Sequence, residues 1–364
     1  MAITKGSEAR HAYRPDYAVP PGQTLQETID ALGIDQRELA LRTGLSAKHI
    51  NQVIKGVASI TQETAIRLER VTGVPARVWN ALEANYREQQ ARLAERARLQ
   101  NDMEWLKTIP TKELVRRDVI KEKSDRVVLL EEVLRFFGVA DVDAWQEGWG
   151  IPQFAFRKSL TFNGEPGAMA AWLRLCELHA QRIACEPFER SRFKSVVDAI
   201  RSLTVQKPEA FAPAMIDLCR SAGVALALVP ELEGAPVSGA AKWLTADKAM
   251  IGLNLRGKSN DRFWFTFFHE AGHILNDSKK ETYIDVDYED DPREQGANQF
   301  AADILIPPEY AVRLSELHAY RAVLRFARSI GIAPGIVVGR LQREGIVPYS
   351  HLNRLKVRLK WVSD

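Results

Sequence analysis

Two histidines four residues apart, His269 and His273, lie in the segment FTFFHEAGHILN, and Glu270 directly follows the first of them. In an α-helix, side chains four residues apart project from the same face. Two imidazoles in that arrangement can bind one Zn²⁺, each at about 2.0–2.1 Å. Zinc lowers the pKa of a bound water to about 7, and Glu270 is placed to accept the proton as a general base. The chemistry predicted is zinc-dependent hydrolysis of a peptide bond.

Chance alone produces this motif in about one of every hundred chains of this length, so its surroundings have to add weight. The apolar residues FWFTFF before the motif can bury one side of the helix. Gly272, between the two histidines, leaves room beside a metal. Both features favour a metal site over a coincidence.

A catalytic zinc needs a third protein ligand and keeps a fourth position open. Glu294 follows His273 by 21 residues and lies near the start of the next predicted helix. The other candidates are more distant histidines: His179, His318 and His351. Asn298, four residues after Glu294, would face the same way and could orient a metal ligand through a hydrogen bond. Because a glutamate at a helix start is also favoured by the helix dipole, the residues alone leave the third ligand open.

The elements predicted around the motif form a small α+β unit. Short apolar segments bounded by Gly and Pro predict strands at 223–230 and 249–255, with a third possible in PVSGAAKWL between them. The motif helix is predicted to start at about Asp261. The elements predicted after it are an acidic loop at 285–291 and helices at about Arg293–Leu305, 310–330 and 334–343.

Length and composition bound the class of protein. The 364 residues suffice for two or three domains, and 46% hydrophobic with 27% charged residues is typical of a soluble globular protein. A net charge of +3 gives no overall basic excess, so DNA binding would need a local patch. Three cysteines without a CxxC pair fit a reducing compartment better than a disulfide framework. No apolar run predicts a signal peptide or membrane span, so we expect a cytoplasmic protein with no membrane partner.

The N-terminal region predicts a helix-turn-helix domain. Residues 1–20 are predicted to be a flexible arm, and five helices are predicted within 21–100, the fifth of them long and charged. Asp35 and Ser46 are suited to cap the second and third helices. Gly44 between these helices permits the left-handed turn that joins such a pair.

Polar and basic side chains of this pair could contact DNA. The predicted contacts are Arg42, Ser46, Lys48, His49, Asn51, Gln52 and Lys55. Asn and Gln can bond adenine edges, and Lys can contact guanine or phosphate. No acidic residue occurs from Leu39 to Gln62, which gives a local basic patch. The alternative is a small helical bundle that binds no DNA.

Residues 19–90 resemble the Cro/repressor-type domain of the HigA family of addiction-module antitoxins. The matching segments are PPGQTLQE, QRELALRTGLS, the end of the third helix at VIKG, and VWNALEANY. That family binds operator DNA as a homodimer and represses its own operon. The resemblance implies a lambda-repressor-like fold, operator DNA as partner and a homodimer for this region. Most of the chain lies outside this comparison.

Residues 210–345 are similar to the ImmA/IrrE family of metallo-endopeptidases. The similarity rests on SGAAKW, IGLN, RFWFTFFHEAGHILN and EQGANQFAADILIP. It implies a zinc cofactor held by His269, His273 and Glu294. It also implies that Glu270 is the catalytic acid/base. Gly296 departs from the family, in which a second acidic residue often precedes Ala-Asn. The family cleaves helix-turn-helix repressors, which implies a repressor-like substrate.

The fold class predicted is mainly α. It comprises a five-helix N-terminal domain, a helical linker or scaffold at 101–207, and an α+β zincin-like domain with a small sheet at 208–364. The function predicted is a DNA-binding transcriptional regulator whose zinc-dependent endopeptidase domain cleaves a repressor-type protein or itself. One alternative is a HigA-type antitoxin or transcription factor, with a cognate toxin as partner, whose zinc domain is sensory or structural. Another is a structural zinc site closed by a fourth protein ligand.

Overall fold

The computed structural model describes residues 17–149, 165–277 and 292–362, together with the backbone of 282–284. Most of the arm predicted at 1–20 and the acidic loop predicted at 285–291 lie outside the described residues. The chain divides into two compact units, Met1–Met103 and Glu104–Asp364. Each unit is described by itself below.

In the first unit, every regular element that the structure describes is a helix. Its helices are α1 (Pro21–Ala31), α2 (Gln36–Thr43), α3 (Ala47–Ile54), α4 (Gln62–Thr72) and α5 (Ala76–Leu99). They enclose an apolar core that includes Leu25, Ile29, Leu39, Ile50, Leu68 and Trp79. The five predicted helices are therefore present, and α1 begins at Pro21 because proline suits the first turn of a helix.

Side-chain caps and one left-handed residue fix the turn between α2 and α3. The Asp35 carboxylate accepts a hydrogen bond from the backbone N–H of Glu38 at 2.7 Å. The Ser46 hydroxyl accepts one from the backbone N–H of His49 at 3.1 Å. Gly44 ends α2 with φ of 68°, a conformation that glycine adopts without strain. These contacts set the geometry of a helix-turn-helix pair.

The second unit combines helices with one small sheet. Its helices are α6 (Met103–Leu106, beginning at the unit boundary), α7 (Thr111–Arg116), α8 (Arg126–Phe137), α9 (Val142–Gly148), α10 (Pro166–Arg182), α11 (Arg190–Arg201), α12 (Pro208–Ser221), α13 (Asn260–Asn276), α14 (Pro292–Leu305), α15 (Pro308–Ala311), α16 (Tyr320–Ser329) and α17 (Pro334–Arg343). Its strands are β1 (Val224–Leu228), β2 (Gly239–Thr245), β3 (Lys248–Leu253) and β4 (Thr282–Ile284). The mainly α fold class with a small C-terminal sheet is confirmed.

The described sheet has the strand order β1-β3-β2-β4. Strand β3 pairs in parallel with β1 and antiparallel with β2, whereas β4 pairs antiparallel with β2. The register places Ile251 opposite both Leu226 and Ala241, and all three are fully buried. Strand β4 was not predicted from the sequence, and its pairing partner β2 lies some forty residues earlier in the chain.

Helices from the region predicted as a linker or scaffold pack directly on the sheet. Helix α10 contacts β1 and β3, and the Trp172 indole N–H donates to the Val229 carbonyl at 3.3 Å. Helix α11 contacts α12, α13 and α14. The division predicted at residue 207 thus falls inside the unit Glu104–Asp364. The amphipathic patterns of the helices in 101–207 do not indicate which surface each helix packs against.

Helix α13 runs through the core of the second unit. Residues Phe263–Leu275 are buried except Phe265. Helix α14 crosses it closely, because a Cβ at Gly272 would lie 3.1 Å from the Phe300 ring and 3.3 Å from Ala297 Cα. In the part of the chain that the structure describes, no single helix is long and apolar enough to cross a membrane. Helices α16 and α17 together reach that length and apolar composition, but the chain bends by 115° between them.

Candidate metal centre and nucleic-acid interface

Two helices bring three potential metal ligands together. Helix α13 carries His269 and His273 on one face, and the first turn of α14 carries Glu294. The two Nε2 atoms are 3.1 Å apart. The Glu294 carboxylate lies 3.0 Å from His269 Nε2 and 3.5 Å from His273 Nε2. The spacing predicted His269 and His273 as ligands, the family resemblance implied Glu294 as the third, and the structure brings the three side chains together.

These distances fit a tetrahedral metal. Two bonds of about 2.0–2.1 Å at a tetrahedral angle separate their donor atoms by about 3.3 Å. The three measured separations are 3.1, 3.0 and 3.5 Å. Two imidazole nitrogens and one carboxylate are also the donor types that zinc prefers. Among the described residues, the side chains of His269, His273 and Glu294 form the cluster whose ligand atoms lie close enough together to hold one metal ion.

A second set of contacts orients the two imidazoles. His269 Nδ1 lies 3.1 Å from Asn298 Oδ1, and His273 Nδ1 lies 2.6 Å from Asp277 Oδ2. Both partners are acceptors, so they favour the neutral tautomer in which Nδ1–H donates and the lone pair of Nε2 is available to a metal. The sequence predicted the position of Asn298. It missed Asp277, although this residue stands four positions after His273, where the helix ends.

The centre also sets the protonation of its own groups. Burial raises the pKa of Glu294, but hydrogen bonds and charge from His269 and His273 outweigh it and lower that pKa to about 2. Burial lowers the pKa of His273, but hydrogen bonds to Glu294 and Asp277 outweigh it, so the pKa is raised. Glu294 is therefore ionised at neutral pH, which is the form that binds a cation.

Glu270 is fully buried and lies beside β2. Its Oε1 and Cγ lie so close to the Gly239 backbone that a Cβ there would come within 2.6 and 3.0 Å of them. Position 239 was not predicted to matter; the signal available was a glycine inside a predicted strand, which often marks close approach of another group.

The other candidate ligands lie elsewhere. His179, His318 and His351 are all exposed and do not belong to the cluster of potential ligands. Desolvation by neighbouring atoms and the charge of Arg182 lower the pKa of His179. The His351 ring lies 3.3 Å from the Ser350 hydroxyl. Of the candidates for a third ligand, Glu294 is the one whose side chain lies with those of His269 and His273.

The predicted DNA contacts line the helix-turn-helix pair. Arg42, Ser46, Lys48 and Lys55 are exposed, and His49, Asn51 and Gln52 are half-buried. Three of them, Arg42, Ser46 and Asn51, have hydrogen-bond partners within the unit. Arg42 pairs with Glu38 at 2.8 Å, and Ser46 caps α3 through the backbone N–H of His49. Lys48 and Lys55 carry the exposed positive charge of α3 and its end.

A chain of side-chain amides joins the first three helices. Asn51 Nδ2 donates to Gln36 Oε1 at 3.3 Å, and Gln36 Nε2 donates to Gln26 Oε1 at 2.9 Å. The Gln36 contact uses one amide hydrogen of Asn51. Its second amide hydrogen and its oxygen are the groups that pair with an adenine edge. The sequence analysis missed Gln36, whose signal was a glutamine at the first position of α2.

Comparison with known families assigns a domain type to each of these sites. Residues 25–79 match the model of the helix-turn-helix family. Residues 231–342 match the model of the IrrE N-terminal-like domain, which is a peptidase family. The chain thus carries a transcription-regulator type of DNA-binding domain and a metallopeptidase-like domain. Both resemblances predicted from the sequence are confirmed.

Individual relatives match the N-terminal region. The uncharacterized HTH-type transcriptional regulator YddM of Escherichia coli is 32% identical over 59 residues, and the match covers 16% of this chain and 63% of that protein. An antidote protein of a plasmid maintenance system from Nostoc punctiforme is 29% identical over 24% of this chain and 94% of its own, with a TM-score of 0.23. Pseudomonas aeruginosa antitoxin HigA, solved with the higBA promoter, is 25% identical over 24% of this chain and 95% of its own, with a TM-score of 0.22.

Proposed function

We propose that this chain, with its helix-turn-helix and IrrE N-terminal-like domains, is a transcriptional regulator that is also a zinc-dependent endopeptidase. Its N-terminal unit binds operator DNA as a homodimer. Its second unit cleaves a repressor-type protein or this chain itself. The observation that carries the proposal is the convergence of the His269, His273 and Glu294 side chains. Both imidazoles are oriented by hydrogen bonds at Nδ1.

The donor set supports catalysis over a purely structural metal. Structural zinc sites use four protein ligands, whereas catalytic sites use three and leave one position for substrate or water. Three side chains form the group within the described residues. The ligand types, two His and one Glu, are those of zinc peptidases. Zinc bound there would supply a Lewis acid and lower the pKa of water.

The residues around the metal position have separable tasks in this proposal. Asp277 and Asn298 hold the two imidazoles in the tautomer that binds a cation. Glu270, next to His269, accepts the proton of the attacking water and passes it to the leaving amine. Its full burial strengthens its electrostatic interactions, since few water molecules screen it.

The DNA-binding part of the proposal rests on α3. Its N-terminal turn exposes Ser46 and Lys48, and the N-terminal residues of a recognition helix are the ones that contact base edges. Asn51 follows on the same helix with its amide held by Gln36. Phosphate contacts by Lys48 and Lys55 would give the salt-dependent part of the affinity.

The experiment incubates the purified full-length chain with Zn²⁺ and a helix-turn-helix repressor from a neighbouring gene, and follows both proteins for cleavage. We expect cleavage that stops on chelation and is restored by Zn²⁺. The Glu270→Gln variant keeps all three proposed ligands, so it should bind zinc and cut neither protein. Cleavage that persists in this variant would contradict the mechanism.

The same proteins distinguish the non-proteolytic alternative. Operator binding is measured for the parent chain and for Glu270→Gln, each with and without Zn²⁺. Binding that depends on zinc but is unchanged by Glu270→Gln, with no cleavage of either protein, would favour a sensory or structural zinc domain. Four protein donors around the bound metal in a zinc-loaded structure would favour a structural site.

A further inference from the structure

Phe265 lies one helical turn before the proposed metal ligands, on the same face of α13. It precedes His269 by four residues and His273 by eight, so the three side chains form one stripe along the helix. The centroids of the Phe265 and His269 rings are 6.3 Å apart. Between Phe263 and Leu275, Phe265 is the residue that is not buried. The face that carries the ligands is therefore partly open to solvent at Phe265.

Helix α17 packs closely against the first turn of α13. A Cβ at Gly335 would lie 2.5 Å from the side-chain oxygen of Asn260, and a Cβ at Gly339 would lie 2.7 Å from the Asp261 carboxylate. Asp261 belongs to the same stripe of α13 as Phe265, because four residues separate them. Helix α17 therefore covers the stripe at its N-terminal end.

Arg343 lies on the face of α17 that carries Gly335 and Gly339, since four residues separate each from the next. Its guanidinium carbon lies 5.3 Å from the centroid of the Phe265 ring. The contacts of α17 thus advance along α13 toward His269. Helix α17 ends at Arg343, over a ring that stands one turn of α13 before that ligand. This arrangement puts the guanidinium group at the edge of the metal centre.

The positive charge of Arg343 is available to an anion from outside the described residues. Arg343 is exposed, and none of the hydrogen bonds or ion pairs between described residues involves it. The acidic groups near it on α17 and α13 are paired with other cations: Glu344 with Arg340, and Asp261 with Lys356 at 2.7 Å. A guanidinium group can bind a carboxylate through two parallel hydrogen bonds.

We propose that Arg343 binds an acidic side chain of the protein substrate close to the cleaved bond. This inference rests on the peptidase activity proposed above. The distances of 5.3 and 6.3 Å along the path from Arg343 through Phe265 to His269 limit how far the guanidinium lies from the metal centre. An extended chain spans about 3.3–3.6 Å per residue, so about three residues cover that path. The substrate class is thus a peptide segment with Asp or Glu within about three residues of the scissile bond.

The test uses compounds that bind zinc, so that it measures binding and not turnover. Each compound carries a hydroxamate, which binds zinc, at the N- or C-terminal end of a three-residue alanine peptide. One alanine is replaced by Glu or by Gln, which has the same shape without the charge. The other end is capped, so the side chain is the only carboxylate. Calorimetry on the zinc-loaded full-length chain measures each dissociation constant. We expect Glu to bind about fivefold more tightly than Gln at one position, as a partly exposed ion pair allows.

Two variants test whether Arg343 causes this preference. Arg343→Gln should weaken the Glu compound to the affinity of the Gln compound and leave the Gln compound unchanged. Arg313→Gln is the matched control, because Arg313 also lies over a phenylalanine ring, that of Phe326 at 5.5 Å, but this ring belongs to α16 and is buried. It should keep the preference. Thermal unfolding shows that each variant is folded.

The outcomes separate this inference from the proposed activity. Equal affinities for Glu and Gln at every position would overturn the inference and leave the peptidase proposal standing. A preference for Glu that persists in Arg343→Gln would overturn it as well. If no hydroxamate bound the zinc-loaded chain, the open zinc site would be contradicted, and this inference with it.

Discussion

The backbone of Gly239 on β2 lies directly against the Glu270 side chain on α13. A Cβ placed on Gly239 would come within 2.6 Å of Glu270 Oε1 and within 2.5 Å of Thr266 Cγ2. Separations under 3.0 Å force a neighbouring atom to move. The absence of a side chain at position 239 therefore defines the space of the carboxylate that we propose transfers the proton.

Gly239→Ala should impair peptide cleavage without weakening zinc binding. The added methyl group displaces the Glu270 carboxylate, and a misplacement of about 1 Å can cost on the order of 100-fold in rate. We expect kcat to fall by about 10- to 100-fold, with zinc affinity within about twofold of the parent chain. Cleavage kinetics and zinc competition with a chromogenic chelator measure the two quantities.

Two further variants separate this effect from general damage to the sheet. Gly239→Ala with Thr266→Ser removes the methyl contact to Thr266 and leaves the contact to Glu270, so the defect should persist. Gly252→Ala adds a methyl group to β3, where it meets Cys176 Sγ at 2.8 Å. A fall in kcat as large in Gly252→Ala as in Gly239→Ala would contradict a specific role of position 239.

The contact between His273 and Asp277 predicts a hierarchy of zinc affinities. Replacing a residue that orients a metal-bound histidine costs about 10- to 100-fold in affinity. Asp277 is a carboxylate at 2.6 Å from His273, whereas Asn298 is an amide at 3.1 Å from His269. Asp277→Asn should therefore weaken zinc more than Asn298→Ala. The matched control is Asp303→Asn on α14, where Asp303 bonds the exposed Gln299; an equal loss there would contradict the prediction.

Zinc should stabilise the protein more at pH 8 than at pH 6. In the metal-free protein, the raised pKa of His273 adds stability that is complete below its unfolded value of about 6.5 and is lost as pH rises through the folded value. Zinc instead needs the neutral imidazole, so its affinity grows over the same range. Glu294, with a pKa of about 2, stays ionised throughout.

Thermal unfolding with and without Zn²⁺ at pH 6, 7 and 8 measures this difference. The increment in Tm caused by zinc should increase with pH. The variant Glu294→Gln removes one of the two carboxylates that raise the His273 pKa, and this carboxylate is also a proposed ligand. Its increment should be small at every pH. An increment in the parent chain that falls as pH rises would contradict the prediction.

The local parts of the structure could be predicted from the sequence, because short-range rules determine them. Caps at Asp35 and Ser46 and the left-handed Gly44 located α2 and α3. The spacing of His269 and His273 placed two potential ligands on one helix face, and Glu294 was among the candidates for the third. Helix capping and helix periodicity account for these features except Glu294, which lies on another helix.

The parts that depend on non-local packing could not be predicted. Strand β4 has three residues, and its only signal is its pairing with β2. Helix α10 has an apolar face, but its sequence does not indicate that this face packs on the sheet. The contact of Asp277 with His273 could not be predicted because it depends on the residue at which α13 ends. The role of Gly239 depends on the packing of β2 against α13, which the sequence does not specify.

Lys48→Ala should weaken binding to operator and unrelated DNA alike. Lys48 is exposed in the first turn of α3, and a lysine that contacts phosphate carries affinity without sequence information. The slope of log affinity against log salt should become less steep by about 1. Fluorescence anisotropy at several salt concentrations measures this slope. Lys112→Ala, which removes an exposed charge from the other unit, should leave it unchanged; an equal change there would contradict the prediction.

Asn51 and Gln36 should act together on sequence discrimination. Asn51→Ala removes a side chain that can bond an adenine edge, a contact worth about 1–3 kcal/mol against a wrong base. Gln36→Ala leaves Asn51 in place but removes the carbonyl oxygen that accepts its amide hydrogen at 3.3 Å. We expect Asn51→Ala to reduce the preference for the operator with little change in non-specific affinity. Gln36→Ala should produce part of that loss, and the double variant should lose no more than Asn51→Ala alone, because Gln36 acts through Asn51. Losses that add in the double variant would show that Gln36 contacts DNA independently.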